Sequence, residues 1–320
     1  MNSSFGFFIF NAAAGSAKKY SPEQILAELP SGTQIHIFSD GDDPVELAKD
    51  AIAKGAAWIA VAGGDGTVEA VASALANTNI PLGVIACGTF NNFGRSAGIP
   101  EDPLEAARLI GSGETRLMDV GFVNDQPFFE CVGVGLDAAI FPLGEEIKSG
   151  GLLKWLELFR VAAKYPRRHF DLTLDRPFRE ALVRTESPPR PSRSWLKWFK
   201  TNPGKTLRLK ALMITVSNGP FYGAHFAVAP NAKIDDGLLT ITIFKQYNKL
   251  ELWWHFFSIS FGRRKYAPRV VTLKVCETVI GGPEKLEVHK DGSNFDGWPL
   301  TMRLASKSLR VFTGPVQKTD

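Results

Sequence analysis

The chain has 320 residues, 44% of them hydrophobic and 22% charged, with a formal net charge of +4. That composition describes a soluble globular protein, and the length points to two domains rather than one, because single cores stop growing at roughly 250–300 residues. Cys87, Cys131 and Cys276 stand far apart in apolar runs and His36, His169, His225, His255 and His289 are scattered, which argues against a disulfide framework or a zinc cluster and for reduced thiols in a cytoplasmic protein.

The first element is a strand over Phe7 to Phe10. The apolar start followed by Ala12-Ala13-Ala14 imitates a secretory signal, but it lacks a basic n-region and its apolar run is short, so a core strand is expected. Ser21-Pro22-Glu23-Gln24 supplies an N-cap, a proline at the first helical position and a capping-box glutamine. A strand over Gln34 to Phe38 and a helix opened by Asp43-Pro44 come next. A third strand, Trp58 to Ala62, runs into Gly63-Gly64-Asp65-Gly66-Thr67 and a helix through Leu75. A fourth, Leu82 to Ala86, leads into Cys87-Gly88-Thr89-Phe90-Asn91-Asn92, and a helix covers Leu104 to Ile110.

Small polar loops therefore follow three consecutive strands: Asn11 to Ser16, Gly63 to Thr67, and Cys87 to Asn92. Parallel strands place such loops at one end of the sheet, in the crevice where open α/β sheets bind ligands. The glycine-rich loop opening a helix offers free N–H groups and the positive dipole end to a phosphate. A carboxylate inside such a loop would repel a bare phosphate, so Asp65 is expected to hold magnesium, order the turn or position another group.

Beyond residue 120 the texture changes to consecutive strands: 116–123, 128–134, 169–174, 207–216, 238–244, 270–275 and 285–289. Two helical segments, 152–164 and 249–261, are inserted among them. The fold class expected is thus an N-terminal α/β nucleotide-binding domain with a parallel sheet, residues 1–121, completed by the C-terminal segment 306–320, and an antiparallel β-sandwich domain, residues 122–305. No run approaches the roughly 18 apolar residues of a membrane span.

Four motifs in order resemble the diacylglycerol kinase catalytic family, which includes bacterial lipid kinases and is related to sphingosine and ceramide kinases. They are Asn11-x-x-x-Gly15, Gly63-Gly64-Asp65-Gly66-Thr67, Gly88-Thr89-x-Asn91, and Asn218-Gly219-Pro220 followed by Asp235-Asp236-Gly237. The resemblance implies an ATP-dependent, magnesium-requiring lipid kinase acting on a hydroxyl of diacylglycerol or a related lipid alcohol. It implies that Asn11, Gly15, Gly63, Gly64, Gly66, Thr67, Gly88, Thr89 and Asn91 cradle nucleotide, and that Asp65 and Asp137 organise the site. By the same resemblance Asp291 takes the acceptor proton, with Asp296 as its rival, and Asp235 and Asp236 make a second, structural magnesium contact. Two positions depart from the family pattern: the glycine-rich loop continues Glu69-Ala70 where the family has its acid at the second position, and Ser293 stands where an Asp-Gly-Glu motif would end. A catalytically weakened lipid-binding paralogue and an NAD kinase are the alternative readings.

Between Arg176 and Lys210 ten Lys/Arg face two Glu, a local +8 that leaves the rest of the chain at about −4. Within this basic insertion, Trp195-Leu196-Lys197-Trp198-Phe199-Lys200 pairs interfacial aromatics with cations. Residues 193–200 are expected to touch an anionic membrane surface transiently, giving a cytoplasmic, peripherally membrane-associated protein. No nucleic-acid motif accompanies them, so nucleic acid is not an expected partner; homodimerisation is left open.

Overall fold

The computed structural model describes residues 5–15, 19–39, 41–139, 160–161, 164–183, 202–221, 228–245 and 270–314. The expected helices 152–164 and 249–261 and the basic aromatic segment 193–200 fall largely or wholly outside these.

The N-terminal half alternates strands and helices: β1 (Phe5–Phe10), α1 (Pro22–Leu26), β2 (Gln34–Ile37), α2 (Pro44–Ala53), β3 (Ala56–Gly63), α3 (Asp65–Leu75), β4 (Leu82–Ala86), α4 (Asn92–Ala97) and α5 (Pro103–Ser112). The helix starts follow the sequence signals. Ser21 accepts from Gln24 N–H and the Gln24 side chain returns the bond to Ser21 N–H, the reciprocal capping box. Asp43 and Asp102 cap α2 and α5, each with proline in the first turn. Strands β2, β1, β3 and β4 lie side by side and parallel. All of β4 and most of β3 are buried, as expected of strands covered on both faces.

The second half contributes β5 (Thr115–Val123), β6 (Gln126–Phe128), β7 (Cys131–Gly135), β8 (Arg168–Leu174), α6 (Phe178–Ala181), β9 (Thr206–Ala211), β10 (Met213–Ser217), β11 (Leu239–Phe244), β12 (Val270–Val275), β13 (Glu277–Gly281), β14 (Val288–Lys290), β15 (Ser293–Asn294) and β16 (Leu300–Phe312). Two sheets result. One runs β2-β1-β3-β4-β16-β13-β8-β9, with β5 paired to β16 and β6 to β5; the other runs β12-β11-β10-β7-β14-β15. Their facing apolar residues, among them Val132, Val134, Phe170, Leu172, Ile214, Ile241 and Met302, form the sandwich core, while Phe8, Ile59, Val71, Ile85, Leu309 and Val311 belong to the α/β core.

β16 is the seam. Its start pairs with β13, and Val311 pairs in parallel with Leu82 of β4, while β5 runs antiparallel beside it. Gly121 and Ser306, the expected boundaries, lie inside two continuous strands, β5 and β16. The register of the β5–β16 ladder shifts between Ala305 and Leu309, where Lys307 is left-handed with φ +52°. Two expected strands need correction. The run 128–134 is broken at Phe129 and Glu130, whose N–H groups turn to a side chain instead of a neighbouring strand. The run 207–216 is broken at Leu212, and its halves β9 and β10 belong to different sheets, a corner at which one chain changes layer.

Candidate active site

The three loops expected to share a crevice do so through specific contacts. Asn11 Nδ2 donates to Thr67 Oγ1 at 3.0 Å, joining the first loop to the second. A Cβ on Gly15 would meet Cys87 O at 3.8 Å and Thr89 Oγ1 at 3.9 Å, so the first loop also lies against the third. The second and third touch through their backbones: a Cβ on Gly88 would stand 2.7 Å from Gly64 Cα and 2.9 Å from Asn91 Oδ1. Asn91, left-handed at φ +54°, accepts Gly88 N–H at 2.7 Å and so fixes that turn. Gly64 caps α3 without a side-chain bond, and a Cβ on Gly66 would meet nothing. The first-turn amides of α3 thus carry no side-chain cap, in a cradle of the kind phosphate occupies.

Asp65 orders this cradle. Its Oδ1 accepts Phe93 N–H at 3.4 Å, and the N–H groups of Asn91 and Asn92 also favour its anion, while burial, the larger cause, raises its carboxyl above the ordinary range. The carboxylate is turned toward the start of α4, pinning the third loop to the second.

Four residues beyond Asp65, hence on the same face of α3, stands Glu69. One position along a helix rotates a side chain by about 100°, yet Glu69, one position before the family's acid, is directed into the fold. Its Oε1 is buried without a hydrogen-bond partner. Burial, and then the charges of Asp291, Glu130 and Asp65, hold its carboxyl well above the usual range, with Lys290 opposing. Glu130, 7% exposed, accepts from Asn92 Nδ2 at 3.1 Å, and burial together with Asp291 and Asp65 raises it likewise. Neither glutamate was a candidate from the sequence. The i, i+4 spacing of Asp65 and Glu69 was the available signal for one, whereas Glu130 lay hidden in a run read as strand.

Asp291 enters from the sandwich side. It and Gly292 occupy a two-residue hairpin turn between β14 and β15 with φ +44° and +74°, the left-handed pair that Asp-Gly favours. The carboxylate folds back: Oδ2 accepts Phe129 N–H at 2.9 Å, and Oδ1 accepts Glu130 N–H at 2.9 Å and Cys131 N–H at 3.0 Å. Burial raises its carboxyl, and these three N–H groups and Lys290 work against the rise. Lys290 itself donates to Pro127 O at 2.9 Å. The rival Asp296 is exposed and pairs with Lys285 at 2.7 Å, which lowers its carboxyl; it does not join the cluster.

Asp137 is differently employed than expected. It is 8% exposed and bonded to His289 Nε2 at 2.9 Å, not to Asp65 or Asp291. The pair lies across Gly133, where a Cβ would come within 2.3 Å of both side chains. Asp137 therefore braces β14, the strand that carries Asp291. Asn218 is a tie as well: its Nδ2 donates to Asp119 O at 3.0 Å and Phe129 O at 3.3 Å, joining β5 to the segment that holds Asp291. Asp235 lies 3.8 Å from Arg116, and Asp236 is paired with Lys274.

Among the described residues no three His, Cys, Asp or Glu side chains stand together at metal-binding spacing. A nucleotide-bound magnesium needs less, since it takes one or two carboxylates and completes its shell with phosphates and water. The unpartnered Glu69 oxygen and the hard carboxylate donors around it fit such an ion.

A glycine-rich loop cradle at the strand ends of an α/β domain is thus faced by a carboxylate from a β-sandwich domain. The comparisons specify the domains further. Residues 6–123 match the model of the diacylglycerol kinase catalytic domain, and residues 200–313 match that of the YegS C-terminal NAD kinase beta sandwich-like domain. The chain thus carries a diacylglycerol kinase catalytic domain and a YegS C-terminal NAD kinase beta sandwich-like domain. It is 25% identical over 266 residues to the diacylglycerol kinase of Bacillus subtilis (strain 168), covering 81% of this chain and 78% of that one. It is 26% identical over 283 residues to the diacylglycerol kinase of Mycobacterium tuberculosis (strain ATCC 25618 / H37Rv), covering 86% and 82%. The crystal structure of a diacylglycerol kinase from Bacillus anthracis str. Sterne superposes with a TM-score of 0.69 at 21% identity, covering 98% of this chain and 97% of that one; at that identity the likeness speaks for the fold.

Proposed function

We propose that the protein transfers the γ-phosphoryl group of ATP to a hydroxyl of diacylglycerol or a related lipid alcohol. The observation that carries this reading is the bonded link between the third loop and the sandwich-borne carboxylate: Asn92 Nδ2 donates to Glu130, and the Glu130 N–H donates to Asp291 Oδ1, beside a Glu69 carboxyl raised first by burial and then by the charge of Asp291. Phosphoryl transfer asks for such a link, because it depends on in-line positioning and electrostatics more than on covalent help.

In this reading Asn11, Gly15, Gly63, Gly64, Gly66, Thr67, Gly88, Thr89 and Asn91 hold the nucleotide phosphates. Asp65 and Glu69 are the carboxylates placed to hold magnesium, which when bound neutralises charge on the phosphates. Asp291 accepts the proton of the acceptor hydroxyl; its three N–H partners fix the carboxylate in place, and burial keeps it more basic than a free aspartate. Glu69 favours an active enzyme over a weakened paralogue, since it brings an acid into the cluster although position 70 is alanine and position 293 serine. The basic aromatic segment 193–200 would rest on anionic lipid and bring the cleft to its substrate. No helix among the described residues is long and apolar enough to cross a membrane.

The test is labelled ATP with magnesium against diacylglycerol, monoacylglycerol, sphingosine, ceramide and NAD, using wild type and Asp291→Asn. Phosphorylated lipid from wild type, reduced about 100-fold or more in the variant, is the expected outcome. Phosphorylated NAD alone, or no transfer to any acceptor, overturns the lipid-kinase reading, and an unimpaired Asp291→Asn overturns the base. Deletion of 194–200 is expected to weaken binding to phosphatidylglycerol vesicles; unchanged binding removes the membrane contact.

A further inference from the structure

The turn carrying Asp235 and Asp236 is where the family resemblance leads one to expect a structural magnesium. The oxygens such an ion would need are already committed. Asp236 Oδ1 accepts Leu238 N–H at 3.1 Å, and Oδ2 accepts the ammonium of Lys274 from β12; the two side chains are 20% and 22% exposed. Asp235 Oδ2 faces the Arg116 guanidinium at 3.8 Å. The Ile234 carbonyl accepts Asp119 N–H at 2.7 Å, and Gly237 O faces the Cys276 thiol at 3.6 Å.

Magnesium demands a near-octahedral oxygen shell at about 2.0–2.1 Å, and calcium six to eight oxygens at about 2.3–2.6 Å. A divalent ion on Asp236 would have to displace the Lys274 ammonium and compete with the Leu238 N–H on the same carboxylate and with the Asp119 N–H on the Ile234 carbonyl. The surroundings also show what the turn is for. Asp119 of β5, 2% exposed, accepts Gly237 N–H at 2.7 Å through one oxygen and Lys307 N–H at 2.8 Å through the other. The 234–238 turn is thereby laced to β5 and to the irregular step in β16, where the α/β sheet passes into the sandwich.

We infer that Lys274 is a built-in cation standing in for a divalent ion at Asp236, so that this junction is held without metal. Tethered to β12, the ammonium is present whenever the sandwich is folded, and the order of the junction does not depend on the divalent-ion concentration. The inference does not rest on the proposed phosphotransfer.

The test is thermal unfolding of the full chain without nucleotide, in chelator and in millimolar CaCl2 or MgCl2, with KCl matching ionic strength. Wild type and Asp236→Asn are expected to respond alike to divalent ions, any shared shift arising elsewhere. Lys274→Ala is expected to lose roughly 3–6 °C in chelator and to regain part of it with calcium. Lys274→Ala/Asp236→Asn should regain none. Lys274→Met serves where the alanine variant is insoluble, and the comparison of wild type with Asp236→Asn decides independently of either. A divalent-ion stabilisation of wild type that Asp236→Asn lacks overturns the inference, as does a Lys274 variant that gains no divalent-ion response.

Discussion

Glu69→Gln is expected to make the protein more stable and less active. The carboxyl is buried, its Oε1 has no partner, and Asp291, Glu130 and Asp65 all push its proton affinity upward. A carboxyl raised in the folded state keeps its proton over a range in which the unfolded chain has lost it. Below the ordinary glutamate range both states are protonated and nothing is lost. As pH climbs through and above that range the unfolded state is increasingly favoured, and stability falls until the folded carboxyl also ionises. Glutamine abolishes this loss and can donate from Nε2 to the carboxylates that glutamate repels. A gain of roughly 1–2 kcal/mol near pH 8 follows, a rise in Tm of about 2–6 °C for a protein of this size. Near pH 5, close to the ordinary glutamate range, the gain should shrink, because the unfolded chain there still keeps part of its protons and the linkage loss is smaller. Turnover should fall about 10–100-fold, the order seen when one charge-positioning group is lost. Thermal unfolding at the two pH values, alongside the lipid phosphorylation assay, reads both effects. A Tm that is lowered, or raised equally at both pH values, refutes the repulsive cluster; full activity refutes a role for Glu69 in the site.

Gly88→Ala would drive a methyl group to within 2.7 Å of Gly64 Cα, parting two of the three loops. Binding of a fluorescent ATP analogue should weaken at least about 10-fold, with a stability cost of about 1–3 kcal/mol. Asp296→Asn removes only the exposed partner of Lys285, so turnover should stay within about twofold; a large loss would transfer the base assignment from Asp291 to Asp296.

Much of the α/β half was legible because its signals are local. The Ser21–Gln24 capping box, the Asp43-Pro44 start and the apolar runs ending in small loops are each decided within a few residues. The sandwich was harder because its decisive features are tertiary. Nothing in the alternation from Leu207 to Val216 marks Leu212 as the corner between sheets. β13 and most of β16 set polar residues on an exposed face, Glu277, Thr301 and Arg303 among them, so only the apolar end of β16 could be read as strand. In the site, the glycines and asparagines of the loops are conspicuous by residue type and by their place after strands. The partners of Asp137, Asp235 and Asp236 are not visible in this way, because His289, Arg116 and Lys274 lie far away in sequence.

Asp65 shows how the two halves depend on each other. An acid in a phosphate loop is a liability unless something turns its charge aside, and here the N–H groups at the start of α4 do so. The negative charge is thereby carried toward Glu69, Glu130 and Asp291, which come from an α3 face, the β6–β7 bend and the β14–β15 turn. Among the described residues no arginine forms an ion pair with these acids, and Lys290 opposes the raised carboxyls of Glu69 and Asp291. A folded chain that holds its carboxyls above their ordinary range forgoes stability near neutral pH, and a divalent ion with nucleotide phosphates would relieve that repulsion. The acids that weaken the apo fold are thus the ones an incoming magnesium–nucleotide complex would meet.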